Sequence, residues 1–415
     1  MRILIAGITY HPAINGQANF TVNLAEGLAQ KGHEVLVVTQ SNQGRPYLCG
    51  RNGVQIHAIR SISLSIWYPG AYFSPFPGKP AREIFNNFRP DIVHIQDHYP
   101  LSRFIFKLAR SQNKKVIGTN HFMPENLAPY MHSIAWFQPG FNWLLWRWML
   151  DLFNQLDAVT APSKTAAEIL RREGLITPVF PVSCGVDLDR FHPDPGLDRQ
   201  AVLKQYGANP NQTTFLFVGR VDGEKRIDLL LQAMHQLRRN DLQLIVAGKG
   251  AARRGLIQKT KELKLENQVH YPGFVPDNEL PELLNSADIF VMPSQAELLS
   301  IATLEAMACG RPVLAARAQA LPELINNGVN GYLFEDGSIE DLARHMAQMA
   351  DQHTRWPDMQ AASLQKVQAH SLENTLNHYE EIYDNALAVH RTRFKLSRPH
   401  PPKRVIRKAS GSNRQ

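Results

Sequence analysis

RILIAGITYHPAINGQANFTVNLAEGLAQKGHEVLVVT (2–39) decides the fold. Two short apolar runs, RILIAG (2–7) and EVLVVT (34–39), bracket a segment whose Val22, Leu24, Ala25, Leu28 and Ala29 share one helical stripe. That segment ends in Lys31-Gly32, a cationic last turn followed by glycine, which stops a helix. Strand, helix, strand in this order is a βαβ unit. Its near-continuous apolar runs suit a parallel sheet covered on both faces.

The rhythm continues through DIVHIQ (91–96) and KVIGTN (115–120), breaks at PDPG (193–196), and restarts with TFLFVG (214–219), LQLIVAG (242–248), QVHYPG (268–273), DIFVMPS (288–294) and PVLAA (312–316). Two α/β domains follow, each a doubly wound Rossmann-like sheet, over 1–190 and 200–370. A C-terminal helix is expected over 371–390 and a basic tail over 391–415. A length of 415 residues agrees, at roughly 100 to 200 residues per domain. Ligands of such sheets collect outside the carboxyl ends of the strands, so the cleft between the domains is the expected site.

The net charge of +8 is carried by the tail, where nine Lys or Arg and no acid occur from Arg391 on. The first 390 residues hold 36 basic and 37 acidic side chains, a net of −1. The tail reads as a solvated, disordered end, with an anionic membrane surface and then nucleic acid as the other readings. The near-neutral body argues against a nucleic-acid-binding protein, so no nucleic-acid partner is expected. No apolar run reaches the roughly 18 residues of a spanning helix, and the opening run turns polar too early for a signal peptide. A cytoplasmic protein, peripheral at the inner face of the plasma membrane, is expected. Cys49, Cys184 and Cys309 show no metal-ligand spacing and are expected in small buried sites.

Candidate chemistry follows the strands. Asn15-Gly16 precedes a helix, where Gly16 either lets backbone amides approach an anion or makes a plain turn. In VGRVDGEKRIDLLLQAMHQL (218–237), Gly219 ends a strand while Arg220 and Lys225 bracket a turn into a helix. Two cations there suit a diphosphate, and a bound anion would explain a lysine where the helix dipole disfavours one; solvated surface cations are the plainer reading. The Phe274-Val275 loop could hold a flat base. In AELLSIATLEAMACGRP (296–312), a helix starting near Leu299 would leave Glu297 in the preceding loop and Glu305 facing out two turns in, with Leu299, Ser300 and Ile301 offering amides to phosphates. Paired hydroxyls of a sugar and a ribose suit two carboxylates. A dipole-complementing Glu297 and a solvated Glu305 are the competing reading.

Glu297, seven residues, Glu305 and AMACGRPVLA, together with GR…EK (219–225), VSCGVDLDRF (182–191) and the Gly16 loop, resemble retaining glycosyltransferases of family four, which have the GT-B fold. The resemblance covers residues 1 to about 390 and extends to bacterial lipid glycosyltransferases, such as monoglucosyldiacylglycerol synthases and phosphatidylinositol mannosyltransferases. It implies that Arg220 and Lys225 hold the diphosphate of a nucleotide sugar, that Glu297 meets the donor sugar and Glu305 the ribose. It also implies that His121, in GTNHFMPEN (118–126), stands near the reacting sugar; His94 and His98 are loop-shaping or functional. Asn15-Gly16 stands where many members have Gly-Gly, Cys184 where Asn is usual, and Leu298-Leu299-Ser300 where an aromatic, Gly and Leu are common. The first and third departures leave the donor sugar open.

The implied reaction transfers a hexose with retention. No DxD cluster stands in a recognisable setting, so no obligatory metal or other cofactor is expected. PLSRFIFKLARSQNKK (100–115) carries five basic and no acidic residues, and FNWLLWRWMLDLF (141–153) carries three tryptophans. Together they suit an anionic membrane surface and a lipid acceptor such as diacylglycerol or phosphatidylinositol. A buried Trp-rich helix and a soluble sugar or metabolite acceptor are the alternatives. Oligomeric state is left open.

Overall fold

The computed structural model describes residues 1–12, 15–63, 72–124 and 138–388, without the side chains of residues 138 and 139; the basic tail lies outside the described residues. The strands are β1 (Arg2–Ala6), β2 (Glu34–Gln40), β3 (Tyr47–Arg51), β4 (Val54–Ile59), β5 (Ile62–Ser63), β6 (Tyr72–Phe73), β7 (Ile92–Ile95), β8 (Lys115–Thr119), β9 (Ala158–Ala161) and β10 (Val179–Pro181), then β11 (Thr213–Val218), β12 (Leu242–Ala247), β13 (Val269–Gly273), β14 (Ile289–Met292), β15 (Val313–Ala316) and β16 (Gly331–Phe334). The first sheet runs β10-β9-β8-β7-β1-β2-β4-β3 and is parallel except for the edge strand β3. The second runs β13-β12-β11-β14-β15-β16, all parallel. In both, strand order reverses beside the domain's first strand, between β1 and β7 and between β11 and β14. There the connecting helices part to opposite faces and leave a crevice at the strand ends.

Helices α1 (Gly16–Gln30), α2 (Gly78–Phe88), α3 (Pro100–Ser111), α4 (Gln138–Phe153) and α5 (Lys164–Glu173) cover the first sheet. Helices α6 (Arg199–Gln205), α7 (Ile227–Leu237), α8 (Arg253–Glu262), α9 (Leu280–Ser286), α10 (Ile301–Ala308), α11 (Leu321–Leu324), α12 (Ile339–Asp351) and α13 (Trp356–Val367) belong with the second. Alternation along β1 sorts its side chains. Leu4 and Ala6 join the core beneath α2 to α5, while Ile3 and Ile5 join the core shared with α1.

The last helix, α14 (Leu372–Ala388), follows the second domain in sequence and packs on the first. Gly27 of α1 admits it, since a Cβ there would stand 2.5 Å from a methyl of Leu376. Tyr379, fully buried, reaches Thr160 at 3.0 Å and Thr119 at 3.2 Å, and Glu380 pairs with Lys31 at 2.8 Å. Cys184 and Cys309 are buried, but Cys49 is exposed on β3, whose outer edge no strand covers among the described residues.

Removing the ring in Tyr379→Ala leaves a cavity under the first sheet and strips two threonine hydroxyls of a partner. The expected loss is about 3–5 kcal/mol, read as a lower urea midpoint for the first domain. An unchanged midpoint would mean that α14 contributes nothing to that core.

Candidate active site

The turn after β11 is built by backbone contact. A Cβ on Gly248, which has φ +147°, would stand 1.8 Å from the carbonyl oxygen of Gly219, so only glycine lets the β12 loop press the 219–221 segment into place. Asp222 anchors the same turn by accepting from the Ala251 amide at 2.8 Å. Gly223–Lys225 then forms one 3-10 turn, with α7 beginning two residues after Lys225. Across the switch point, the amide of Gln295 donates to the carbonyl of Glu224 at 3.2 Å, tying this turn to the loop after β14.

These loops set two cations among carboxylates. Lys225 Nζ lies 2.5 Å from Glu297 Oε1, and both side chains are close to nine-tenths buried. Arg220 lies 2.5 Å from Asp222 and 2.7 Å from Glu224. The lysine that sequence reasoning left wanting an anion therefore has one within the protein, from a residue 72 positions later. Glu297 is not a free dipole-complementing side chain. Asp222 and Glu224 were missed, though their places two and four residues after Arg220 in VDGEK carry the signal.

Helix α10 starts at Ile301, two residues later than the sequence suggests, with Ser300 as its N-cap bonded to the Thr303 amide. The amides of Ile301 and Ala302 find no acceptor among the described residues, so the helix start offers N–H donors beside the ion pair. Leu299 joins the large core that includes the second domain's strands, while Leu298 joins the core beneath α2 to α5, so this loop reaches the first domain. Glu305 is part-buried rather than freely solvated, and burial pushes its carboxyl up to about 8, with Arg190 opposing and Asp277 adding to the rise. Phe274 is part-exposed with Lys249 over its ring at 5.4 Å, and Val275 is buried.

On the first-domain side, Gly16 opens α1 behind an Asn15 cap that accepts from the Ala18 amide at 2.9 Å, and a Cβ at Gly16 would meet nothing within 4 Å. A ligand can therefore come close to that backbone. His11, in the same loop, has its pKa lowered by burial and by Arg51, and it also feels Glu26 and Asp277 of the second domain. The loops of the two domains thus share one electrostatic space. His121 follows β8, 3.0 Å from Gln96 Oε1 and against the Phe20 ring, and burial lowers it to about 3. His94 is fully buried between Tyr383 and Thr119, away from any ligand surface. His98 is packed among Tyr99, Phe122 and Trp148. The structure therefore brings Lys225, Glu297 and the α10 amides together, sets Arg220 and Glu305 on neighbouring loops, and places His121 and Gly16 in the first domain.

Two family profiles match the chain: Glycosyltransferase Family 4 over residues 14–190 and Glycosyl transferases group 1 over 198–362. A GDP-mannose-dependent alpha-(1-6)-phosphatidylinositol dimannoside mannosyltransferase from Mycobacterium tuberculosis is 28% identical, covering 78% of this chain and 82% of its own. An N-acetyl-alpha-D-glucosaminyl L-malate synthase from Bacillus anthracis is 25% identical over 92% of this chain and 97% of its own. An alpha-monoglucosyldiacylglycerol synthase from Streptococcus pneumoniae is 25% identical over 93% and 86%. In fold, the chain is similar to sucrose-phosphate synthase from Thermosynechococcus elongatus, with a TM-score of 0.77 and 22% identity over 94% of this chain and all of that one.

The buried pair makes a stability prediction. Glu297→Ala strands a buried ammonium and is expected to cost about 3–5 kcal/mol, whereas Glu297→Gln keeps an oxygen acceptor for Lys225 and should lose less. Denaturant midpoints for both variants decide this, and equal losses would show that the pair is not coupled.

With one profile on each domain, over 14–190 and 198–362, the chain belongs to glycosyltransferase family four and is a glycosyltransferase of the GT-B fold.

Proposed function

We propose that the chain is a retaining hexosyltransferase that moves a sugar from a nucleoside diphosphate donor to a membrane lipid. The observation that carries the donor half is the Lys225–Glu297 contact beneath the open amides of Ile301 and Ala302. Cation, acceptor carboxylate and N–H donors there occupy the second domain's switch-point crevice. In this reading a diphosphate sits over the α10 amides with Lys225 and Arg220 beside it, Glu297 accepts from hydroxyls of the donor sugar, Glu305 accepts from the ribose, and Phe274 and Val275 flank the base.

Breaking the bond between the anomeric carbon and the diphosphate leaves negative charge on the leaving oxygen and positive charge on the sugar. Fixed donors already aimed at the phosphates lower that barrier. Their charge also serves in place of a divalent metal. The acceptor hydroxyl attacks from the face that the diphosphate leaves and gives its proton to the departing phosphate oxygen, which preserves the anomeric configuration. His121 and the Gly16 loop close the sugar side from the first domain.

The lipid half rests on α4. Trp146 is buried at 5% exposure, but Trp143 and Leu144 stand 61% and 52% exposed on its outer face, and Arg147 lies over the Trp143 ring at 5.5 Å. Exposed indole with an adjacent cation suits a headgroup boundary. The basic run contributes less charge than its sequence suggests, because Arg103 pairs with Asp151 while Arg110 and Lys115 pair with Asp157. Among the described residues no helix is long and apolar enough to cross a membrane. Relatives whose names carry phosphatidylinositol dimannoside and monoglucosyldiacylglycerol support a lipid acceptor, and the malate-named relative supports the second reading, a small soluble acceptor.

Labelled UDP- and GDP-hexoses, offered with anionic vesicles of membrane lipid extract and with a soluble metabolite pool, test both halves. Label in the lipid fraction, with the donor's anomeric configuration kept, is expected; label confined to soluble products would select the second reading. Arg220→Ala should lose at least 100-fold in transfer, on the order of one lost charge-stabilising donor, and normal turnover would remove Arg220 from the site. Only an ionised Glu305 accepts from both ribose hydroxyls. Because it holds its proton up to about pH 8 in the folded chain, nucleotide affinity by calorimetry should rise as pH climbs through 8 and stay flat in Glu305→Gln.

A further inference from the structure

Four side chains form one hydrogen-bonded run from the cleft to the C-terminal helix. His121 Nε2 lies 3.0 Å from Gln96 Oε1, Gln96 Nε2 lies 3.3 Å from His94 Nε2, and His94 Nδ1 lies 2.7 Å from the Tyr383 hydroxyl. Thr119 Oγ1 adds a second contact to His94 Nε2 at 2.7 Å. Gln96, His94 and Tyr383 are buried, and Gly7 makes room for the amide, since a Cβ there would stand 3.0 Å from Gln96 Cβ.

An amide is directional: its oxygen only accepts and its nitrogen only donates. With Oε1 toward His121, that imidazole must carry its proton on Nε2, which leaves Nδ1 as a lone-pair acceptor. Nδ1 has no hydrogen-bond partner among the described residues. On the other side, with the amide in this orientation its nitrogen donates to His94 Nε2, so the Thr119 hydroxyl donates there too, the His94 proton sits on Nδ1 and it is donated to the Tyr383 oxygen. Burial keeps both rings neutral, each lowered to about 3, so a single proton per ring has to be placed.

We propose that Gln96 is a positioning residue: its side-chain amide fixes the His121 tautomer so that Nδ1 is offered to a hydroxyl of the donor sugar, and Tyr383 of α14 locks the far end of the run through His94. The proposal deepens, and rests on, the reading of His121 as a residue facing the sugar. It gives α14 a part in the site beyond its part in the core. The Tyr383 hydroxyl, which can donate or accept, accepts the His94 proton that the amide's orientation sends to Nδ1.

The test is the ring nitrogen–proton correlation spectrum of the histidines in the full-length protein, read near neutral pH. The wild type should show His121 protonated at Nε2 and His94 at Nδ1. Gln96→Glu substitutes an isosteric group that only accepts, so His94 should move its proton to Nε2 while His121 keeps its own. If the charged variant does not fold, Gln96→Met removes both contacts and should give mixed tautomers at both rings. Transfer should fall about tenfold in kcat in Gln96→Met, which no longer fixes the His121 tautomer. His121 protonated at Nδ1 in the wild type, or a His94 tautomer that ignores the substitution, would overturn the proposal. Full turnover in His121→Ala would instead remove the sugar-facing role on which the reading rests, whatever the tautomers show.

Discussion

A parallel sheet whose strand order reverses cannot cover its own carboxyl edge at the point of reversal, because the two helices that leave there go to opposite faces. This chain makes that gap twice, between β1 and β7 and between β11 and β14. The candidate side chains sit on loops that leave these strands or their neighbours. Gly16 follows β1, Gln96 follows β7 and His121 follows β8; Arg220 and Lys225 follow β11, and Glu297 follows β14. The chemistry is therefore placed by topology, and the glycines at 219, 248 and 250 only let the loops approach one another closely enough to use it.

Electrostatics inside the second gap differ from those of an open basic patch. Lys225 and Arg220 arrive already matched to Glu297, Asp222 and Glu224, so the region is not cationic before a ligand comes. A buried pair of this kind is orienting more than stabilising, because desolvating both charges offsets most of their attraction. What it supplies is fixed direction. Lys225 cannot swing into solvent, and Glu297 keeps one oxygen committed to it. An anion entering over the α10 amides would meet donors that need no rearrangement, which is the condition under which charge stabilisation is strongest.

Much of this was legible in the chain. Nine of the strands announce themselves as unbroken apolar runs, since strands buried on both faces leave few polar positions. The runs that hide do so for physical reasons. AVTA in β9 and VFP in β10 are too short to show a period, β3 is an edge strand with exposed side chains, β4 interrupts its buried apolar positions with Gln55 and His57, and β16 begins at Gly331. Arg220, Lys225, Glu297 and Glu305 could be picked out as polar residues at strand ends. Their partners could not, because a contact such as Lys225 to Glu297 joins positions 72 residues apart that only the sheet brings together. Gln96 escaped for a similar reason. An amide beside a strand end carries no chemistry until the histidines on either side of it are seen.

The placement of α14 follows from the same geometry. A two-domain chain with a cleft between its sheets needs its last element to return, or the domains are joined by a single crossing. By laying Tyr379, Tyr383 and Leu376 against the first domain while Val186 pairs with Ser371 at the crossing, the chain passes between the domains twice. Two crossings restrict relative motion of the domains to hinge-like closure. Glu323 of α11 adds a polar contact to the same closure by accepting from the amides of Lys164 and Thr165 at the start of α5. A carboxylate at a helix N-terminus is favourable but modest, about 0.3–1 kcal/mol where exposed. It can therefore hold the domains together without preventing the cleft from opening to exchange its ligands.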